Sequence, residues 1–313
     1  MLPRIAAAAP PASEPGELYV THFYQFNKEA LKKLGGPDGL SNGKRYLHIF
    51  SHSAPGLKGK PETARAVRAA GSSFKYAHPI DIHKYKGWET ADDKQLRQWA
   101  IEFRAQALDR DGPADLFAFN EMPSDGAEKP ELRNRVASWV RHLHDPGSGP
   151  KLRGLFYLTH RNLNSANWPG DIDDFWAAID HTCDWVVGEH YHDWAFAVDW
   201  PQQKRVDHLF AFPKWLLDSG KSPRLNIANN KYMVLHSSYY GPNGGNWVGL
   251  SNEKYDPAQL KRYFQNLLDA TRAHELGKSR IAFGPLVTKD LDLRVLNPLL
   301  EVLHADVPSR AQR

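Results

Sequence analysis

The stretch LFAFNE, residues 116–121, runs through four apolar residues and stops on an amide followed by a carboxylate, Asn120 and Glu121. A run that is apolar at consecutive positions, not alternate ones, has the pattern of a parallel strand covered on both faces. Seven more short runs rich in β-branched and aromatic residues share it, at residues 18–23, 46–50, 74–77, 154–159, 185–188, 232–236 and 281–286. Their spacing is too wide for hairpins. The intervening segments carry helical periodicity: in residues 89–110, Leu96, Trp99, Ala100, Phe103 and Ala107 fall three or four apart and form one apolar stripe. Similar patterns occupy residues 130–144, 171–183, 207–220, 256–274 and 296–306. Asp256 is placed as an N-cap ahead of Pro257 at the first helical position, and Gly220 as a C-cap glycine.

Strand and helix alternating to a count of eight predict an α/β fold, a (β/α)8 TIM barrel, as a single domain over residues 17–313. An open doubly wound sheet is the competing arrangement. No GxGxxG or Walker A sequence follows the first strand, which removes that sheet's usual functional rationale. The chain has 313 residues, 41% of them hydrophobic, and no apolar run long enough to span a bilayer, so no membrane partner is expected. Its formal charge of +4 is spread over mixed-sign segments, and no nucleic-acid track is expected either. The one cysteine, Cys183, excludes an intrachain disulfide, a four-cysteine zinc site and a CxxC pair, and reads as a small core residue. Residues 1–16 read as a disordered tail or the remnant of an export signal, which would place the protein outside the cytoplasm, secreted or periplasmic.

Barrel enzymes carry their chemistry at the C-terminal ends of the strands. Applied to the eight strands, that rule collects His22 or Tyr24, His52, His78, Asn120 with Glu121, His160, Glu189 with His190 and His192, His236 with Tyr239, and Lys289 or Asp290. A carboxylate at such a position sits where burial raises its affinity for a proton, so Glu121 is placed to protonate a leaving oxygen and Asn120 to bond a substrate hydroxyl. The fifteen histidines and ten tryptophans exceed what a plain structural domain needs. Trp168, Trp194, Trp200 and Trp247, with Tyr191, Tyr239 and Tyr240, follow strands five to seven, where flat rings can stack on pyranose faces.

An Asn-Glu pair closing the fourth strand of an eight-fold barrel resembles the signature of the large superfamily of retaining (β/α)8 glycoside hydrolases. The resemblance covers the fold pattern and these two residues. It implies Glu121 as general acid/base and Asn120 as the contact to the sugar 2-hydroxyl. That superfamily carries its nucleophilic glutamate at the end of strand seven, where this chain reads YMVLHSSYYG (residues 232–241) and offers His236. Glu189, in VVGEHYHDW after strand six, is then the second catalytic carboxylate, with Glu253 in a loop as the other candidate. A separation of roughly 5 Å between the carboxyls implies retention and roughly 6.5–9.5 Å inversion.

The expected activity is hydrolysis of O-glycosyl bonds in a poly- or oligosaccharide, without cofactor or metal. Glu121 and Glu189 are assigned as catalytic, and Asn120, His52, His78, His160, His190, His192, His236, Tyr239, Trp194 and Trp247 as substrate-binding. Three other functions compete. The histidines with Glu121 and Glu189 suit a metal-dependent barrel hydrolase, in which HYH (residues 190–192) supplies an HxH pair. Tyr239 or His236 as base, with Arg161 or Lys289 neutralising an acid, suits a lyase acting on uronic-acid polymers. The missing strand-seven glutamate suits a carbohydrate-binding barrel without catalysis.

Overall fold

In the computed structural model, described for residues 18–23, 28–35, 46–51, 61–109, 114–120, 122–147, 149–240, 249–250, 255–278, 280–287 and 293–306, eight strands pair in parallel and close on themselves. They are β1 (Leu18–Phe23), β2 (Tyr46–Ser51), β3 (Phe74–Asp81), β4 (Leu116–Asn120), β5 (Arg153–Leu158), β6 (Cys183–Tyr191), β7 (Tyr232–Tyr240) and β9 (Arg280–Val287). Their order runs β6-β5-β4-β3-β2-β1-β9-β7, and the β6–β7 pairing shuts the barrel. A two-residue β8 (Gly249–Leu250) pairs with the end of β7. This is the (β/α)8 barrel that the strand count predicts.

The helices are α1 (Lys28–Gly35), α2 (Pro61–Ala69), α3 (Asp93–Asp109), α4 (Ser124–Glu128), α5 (Pro130–His144), α6 (Asp173–Thr182), α7 (Gln202–Asp218), α8 (Ser222–Asn226), α9 (Pro257–Arg272) and α10 (Leu293–Asp306). The Asp256 carboxylate accepts from the Gln259 N–H at 2.8 Å, and the Gln259 side chain accepts from the Asp256 N–H at 2.9 Å, so a complete capping box starts α9. Gly220, at φ 65°, takes the left-handed conformation just beyond α7. Helix α7 begins five residues ahead of the segment read from periodicity, which starts at Asp207.

Two apolar cores lie on either side of the barrel wall. Val20, Ile49, Ala77, Ala118, Leu155, Val187, Leu235 and Ala282 fill the lumen. The residues between them, among them Tyr76, Phe117, Phe119, Phe156 and Phe283, pack outward under the helices. The division is steric. Eight converging strands leave room inside for small and branched side chains, while helix-to-sheet packing takes the large rings. Cys183, read as a core residue, is fully buried as the first residue of β6, and burial pushes its thiol up to about 12.

Several strands run further than their apolar stretches. β3 continues past Ala77 to Asp81, β6 past Gly188 to Tyr191, and β7 past His236 to Tyr240. Polar residues expected beyond the wall therefore form part of it. Gly188 of β6 leaves space for the ring of Tyr232, since a Cβ there would come within 1.9 Å of the Tyr232 hydroxyl and 2.6 Å of its Cζ. Gly188→Ala is expected to destabilise the protein by about 1–3 kcal/mol or more, read as a lower urea midpoint at unchanged slope. The proposed tail, residues 1–16, lies outside the described residues.

Candidate active site at the barrel mouth

Glu189 lies on β6 two residues beyond Val187, and the alternation of the strand aims it into the barrel. It is 0% exposed. The hydroxyl of Ser237, on neighbouring β7, donates to its Oε1 at 3.1 Å. Gly284 of β9 sits in register with Ser237, and a Cβ at Gly284 would lie 3.2 Å from that hydroxyl. On the other side Tyr157 of β5 is 1% exposed, its phenol pushed well above the ordinary value by burial first and by the charge of Glu189 second. Strands β5, β6, β7 and β9 thus seat one carboxylate near the C-terminal end of the lumen. Ionised, such a group acts as nucleophile or base; protonated, it acts as an acid.

Asn120 is the last residue of β4, in backbone register with Asp81 of β3. Glu121 lies outside the described residues, as do His52, Trp247, Tyr24, Glu253, Lys289 and Asp290; Asn120, His22 and Tyr239 are described as backbone positions alone. Met122 donates its N–H to the Tyr157 carbonyl at 3.0 Å, which holds the chain after β4 against β5.

Four of the histidines assigned to substrate, His78, His190, His192 and His236, are not gathered at this mouth. His78, His190 and His236 alternate with lumen residues and point toward the helices, and His192 follows them just beyond β6. The His78 ring lies 4.9 Å from that of Phe103 in α3. His190 is 5.6 Å from the ring of His208 in α7. His192 Nε2 and His236 Nδ1 are 3.0 Å apart, and His236 Nε2 is 2.6 Å from Thr271 Oγ1 in α9. Because the Thr271 hydroxyl donates to the Leu267 carbonyl at 2.9 Å, it must accept from His236 Nε2–H; His236 Nδ1 then accepts from His192 Nε2–H. The chain is satisfied with both rings neutral, and burial holds all three of these imidazoles below their ordinary range, His236 at about 3. These residues build the joint between wall and helices. His160 is exposed beyond β5. Trp194 stacks on Tyr255 at 4.6 Å, and Trp168 is buried, its indole N–H donating to the Asn162 carbonyl at 2.7 Å. Among the described residues, no group of three His, Cys, Asp or Glu side chains is arranged to hold a metal ion.

A cleft of about 890 Å³ opens on the same face, walled by the segments that follow β3, β4 and β5. Trp88 comes from the first, Met122, Pro123 and Arg135 from the second, and Thr159 and Arg161 from the third. Of the cleft residues only Arg161 stands out in the sequence, as an acid-neutralising residue, and neither Ser237 nor Tyr157 does. For Ser237 and Tyr157 the missing signal was the register of each strand, because in-facing positions become identifiable once Val187 and Leu155 are assigned to the lumen.

No known protein family's sequence profile matches the chain, and no curated protein does. Solved structures resemble it in shape. An endo-β-1,4-mannanase double mutant from Cellulomonas fimi aligns over 94% of this chain and 71% of its own, at 12% identity and a TM-score of 0.52. A GH18 chitinase from Pseudoalteromonas aurantia aligns over 86% and 94%, at 8% identity and 0.51. A chitinase-like agglutinin from Robinia pseudoacacia aligns over 90% and 98%, at 10% identity and 0.50. At these identities what the chain shares with them is the barrel fold.

Proposed function

We propose that this barrel hydrolyses glycosidic bonds in a poly- or oligosaccharide outside the cytoplasm. Glu121 is the acid that protonates the leaving oxygen, and Glu189 is the second carboxylate. The observation that carries this reading is Glu189 itself, a fully buried carboxylate aimed into the lumen near the C-terminal end of β6 and held by Ser237. A charge taken out of water costs several kcal/mol unless it is well compensated, so such groups concentrate where chemistry needs them. Strands β4 and β6 flank β5, and with strands about 4.8 Å apart their backbones are separated by about 10 Å. Glu121 follows the end of β4 and Glu189 lies on β6, and the carboxyl separations of glycoside hydrolysis are roughly 5–9.5 Å. Asn120 contacts the sugar beside Glu121. The fold neighbours named as a mannanase and a chitinase support this choice among barrel chemistries, and the agglutinin makes turnover, not binding alone, the deciding measurement.

The test is a panel of polysaccharides incubated with the purified protein, with and without chelator, followed by assay of new reducing ends. Release unaffected by chelator, and abolished or reduced about 10²–10⁴-fold in Glu121→Gln, is the expected result. Full turnover in that variant removes Glu121 from its role. Chelator-sensitive turnover would indicate the metal-dependent hydrolase, ultraviolet-absorbing products the lyase, and binding without cleavage a lectin-like barrel.

A further inference from the structure

The cleft beside the mouth has a composition of its own. Three cations line it, Lys129, Arg135 and Arg161, and three anions, Glu89, Asp125 and Glu131. Several of these charges are already answered within the wall. Lys129 Nζ lies 2.9 Å from the Asp125 carboxylate, Arg161 lies 4.0 Å from Glu128, and the Arg135 guanidinium donates to the carbonyls of Ala91 and Glu131 at 3.2 and 3.1 Å. A ligand carrying its own charge would meet a like group near each opposite one, since cations and anions line the cleft in equal number. Uncharged hydroxyls, by contrast, can accept from the cations and donate to the carboxylates without displacing either.

A second observation concerns Trp88. It is 3% exposed, yet it contributes to the cleft wall, and its buried indole N–H has no hydrogen-bond partner among the described residues. A buried donor left unmatched costs about 1–3 kcal/mol, and native proteins keep few of them. A cleft of this size, mixing an indole with converging polar groups, lies within the range of small-ligand sites, about 300–1,000 Å³. Its walls follow β3, β4 and β5, and Met122 in its lining is the residue directly after Glu121.

We infer that this cleft is an outer subsite for an uncharged sugar unit, reached by a chain whose neighbouring unit lies in the barrel mouth, with Trp88 supplying an indole donor to a hydroxyl. The inference rests on the saccharide reading of the mouth and adds a substrate class: neutral polymers, not uronates, bound across at least two units.

The experiment is calorimetric titration of the whole protein with neutral oligosaccharides of two to six hexose or N-acetylhexosamine units, and with oligouronates of matched lengths. Neutral chains are expected to bind more tightly with length until the cleft is filled, and oligouronates to bind at least tenfold more weakly. Trp88→Phe keeps the ring and removes the donor. It is expected to weaken the longer neutral chains about fivefold, leave the shortest unchanged, and hold or raise Tm, because an unmatched buried donor is lost. Glu89→Gln with Glu131→Gln tilts the cleft by two charges and is expected to narrow the gap between neutral and acidic chains. Equal binding of Trp88→Phe and the parent protein at every length overturns the subsite, as does preferential binding of oligouronates. Length-dependent binding lost in Trp88→Phe, in a protein that cleaves nothing, would sustain the subsite and end the hydrolase reading; cleavage of neutral polymers with no effect of Trp88→Phe would do the reverse.

Discussion

Glu189→Gln is expected to lower turnover by about 10²–10⁴-fold while the variant folds as well as the parent or better. Glutamine matches glutamate in shape, and its amide oxygen can still accept from the Ser237 hydroxyl, now 3.1 Å from the carboxylate. What disappears is the charge and the capacity to exchange a proton. Since Glu189 is fully buried, the substitution also spares the desolvation of an ion, so Tm should stay level or rise. That opposite movement of activity and stability separates a functional carboxylate from a structural one, whose loss would lower both. Ser237→Ala keeps the carboxylate and removes its donor, and should cost about tenfold, the equivalent of one hydrogen bond to a charged group. Glu189→Gln with parental turnover would remove this residue from the chemistry.

The second large effect is on stability against acid. His190, His192 and His236 are buried and held below the ordinary imidazole value, so the folded protein keeps them neutral while the unfolded chain protonates them near pH 6.5. The stability they confer is complete above that pH and is lost as pH falls below it, because the unfolded state then binds more protons. Between pH 7 and 5 His236, held at about 3, removes about 2 kcal/mol, and His190 and His192 act in the same direction, against a total for ordinary domains of about 5–15 kcal/mol. Urea unfolding followed at half-unit steps of pH should show the midpoint falling steeply through this window, ahead of any carboxylate titration. His236→Gln, neutral at every pH, should be less stable at pH 7, because the bond to Thr271 is disturbed, and should show a shallower slope. A flat profile from pH 7 to 5 would contradict the arrangement of the histidine chain.

The sequence announced the fold through its apolar runs. Each of the eight runs lies on an observed barrel strand, and the segment read at residues 130–144 coincides with α5. Hydrophobicity marks a strand only while both faces are apolar, and β6 and β7 carry polar residues in their last turns of alternation. Hydrophobicity therefore ends these strands too early, at Gly188 and His236, and places the histidines at or beyond those points in the mouth. Strand alternation decides otherwise: Glu189 faces the lumen, while His190 and His236 face helices α7 and α9. A polar group near a strand's end is at the mouth only in one of two parities, and the parity becomes visible when neighbouring strands fix the lumen positions. Helices α1 and α2 escaped notice because they span eight and nine residues, barely two turns of periodicity. Of the cleft the sequence marks Arg161 alone, because Trp88 and Arg135 lie far from it in the chain and meet it through the packing of three connections.

The wall between the two cores is a single residue thick, so side chains that belong to different tasks are covalent neighbours. Glu189 abuts His190, and Ser237 abuts His236. Anyone wishing to retool this barrel thus has two nearly independent keyboards: exchanging in-facing positions of β6 and β7 changes what the opening can process, while their out-facing neighbours set the acidity the scaffold survives.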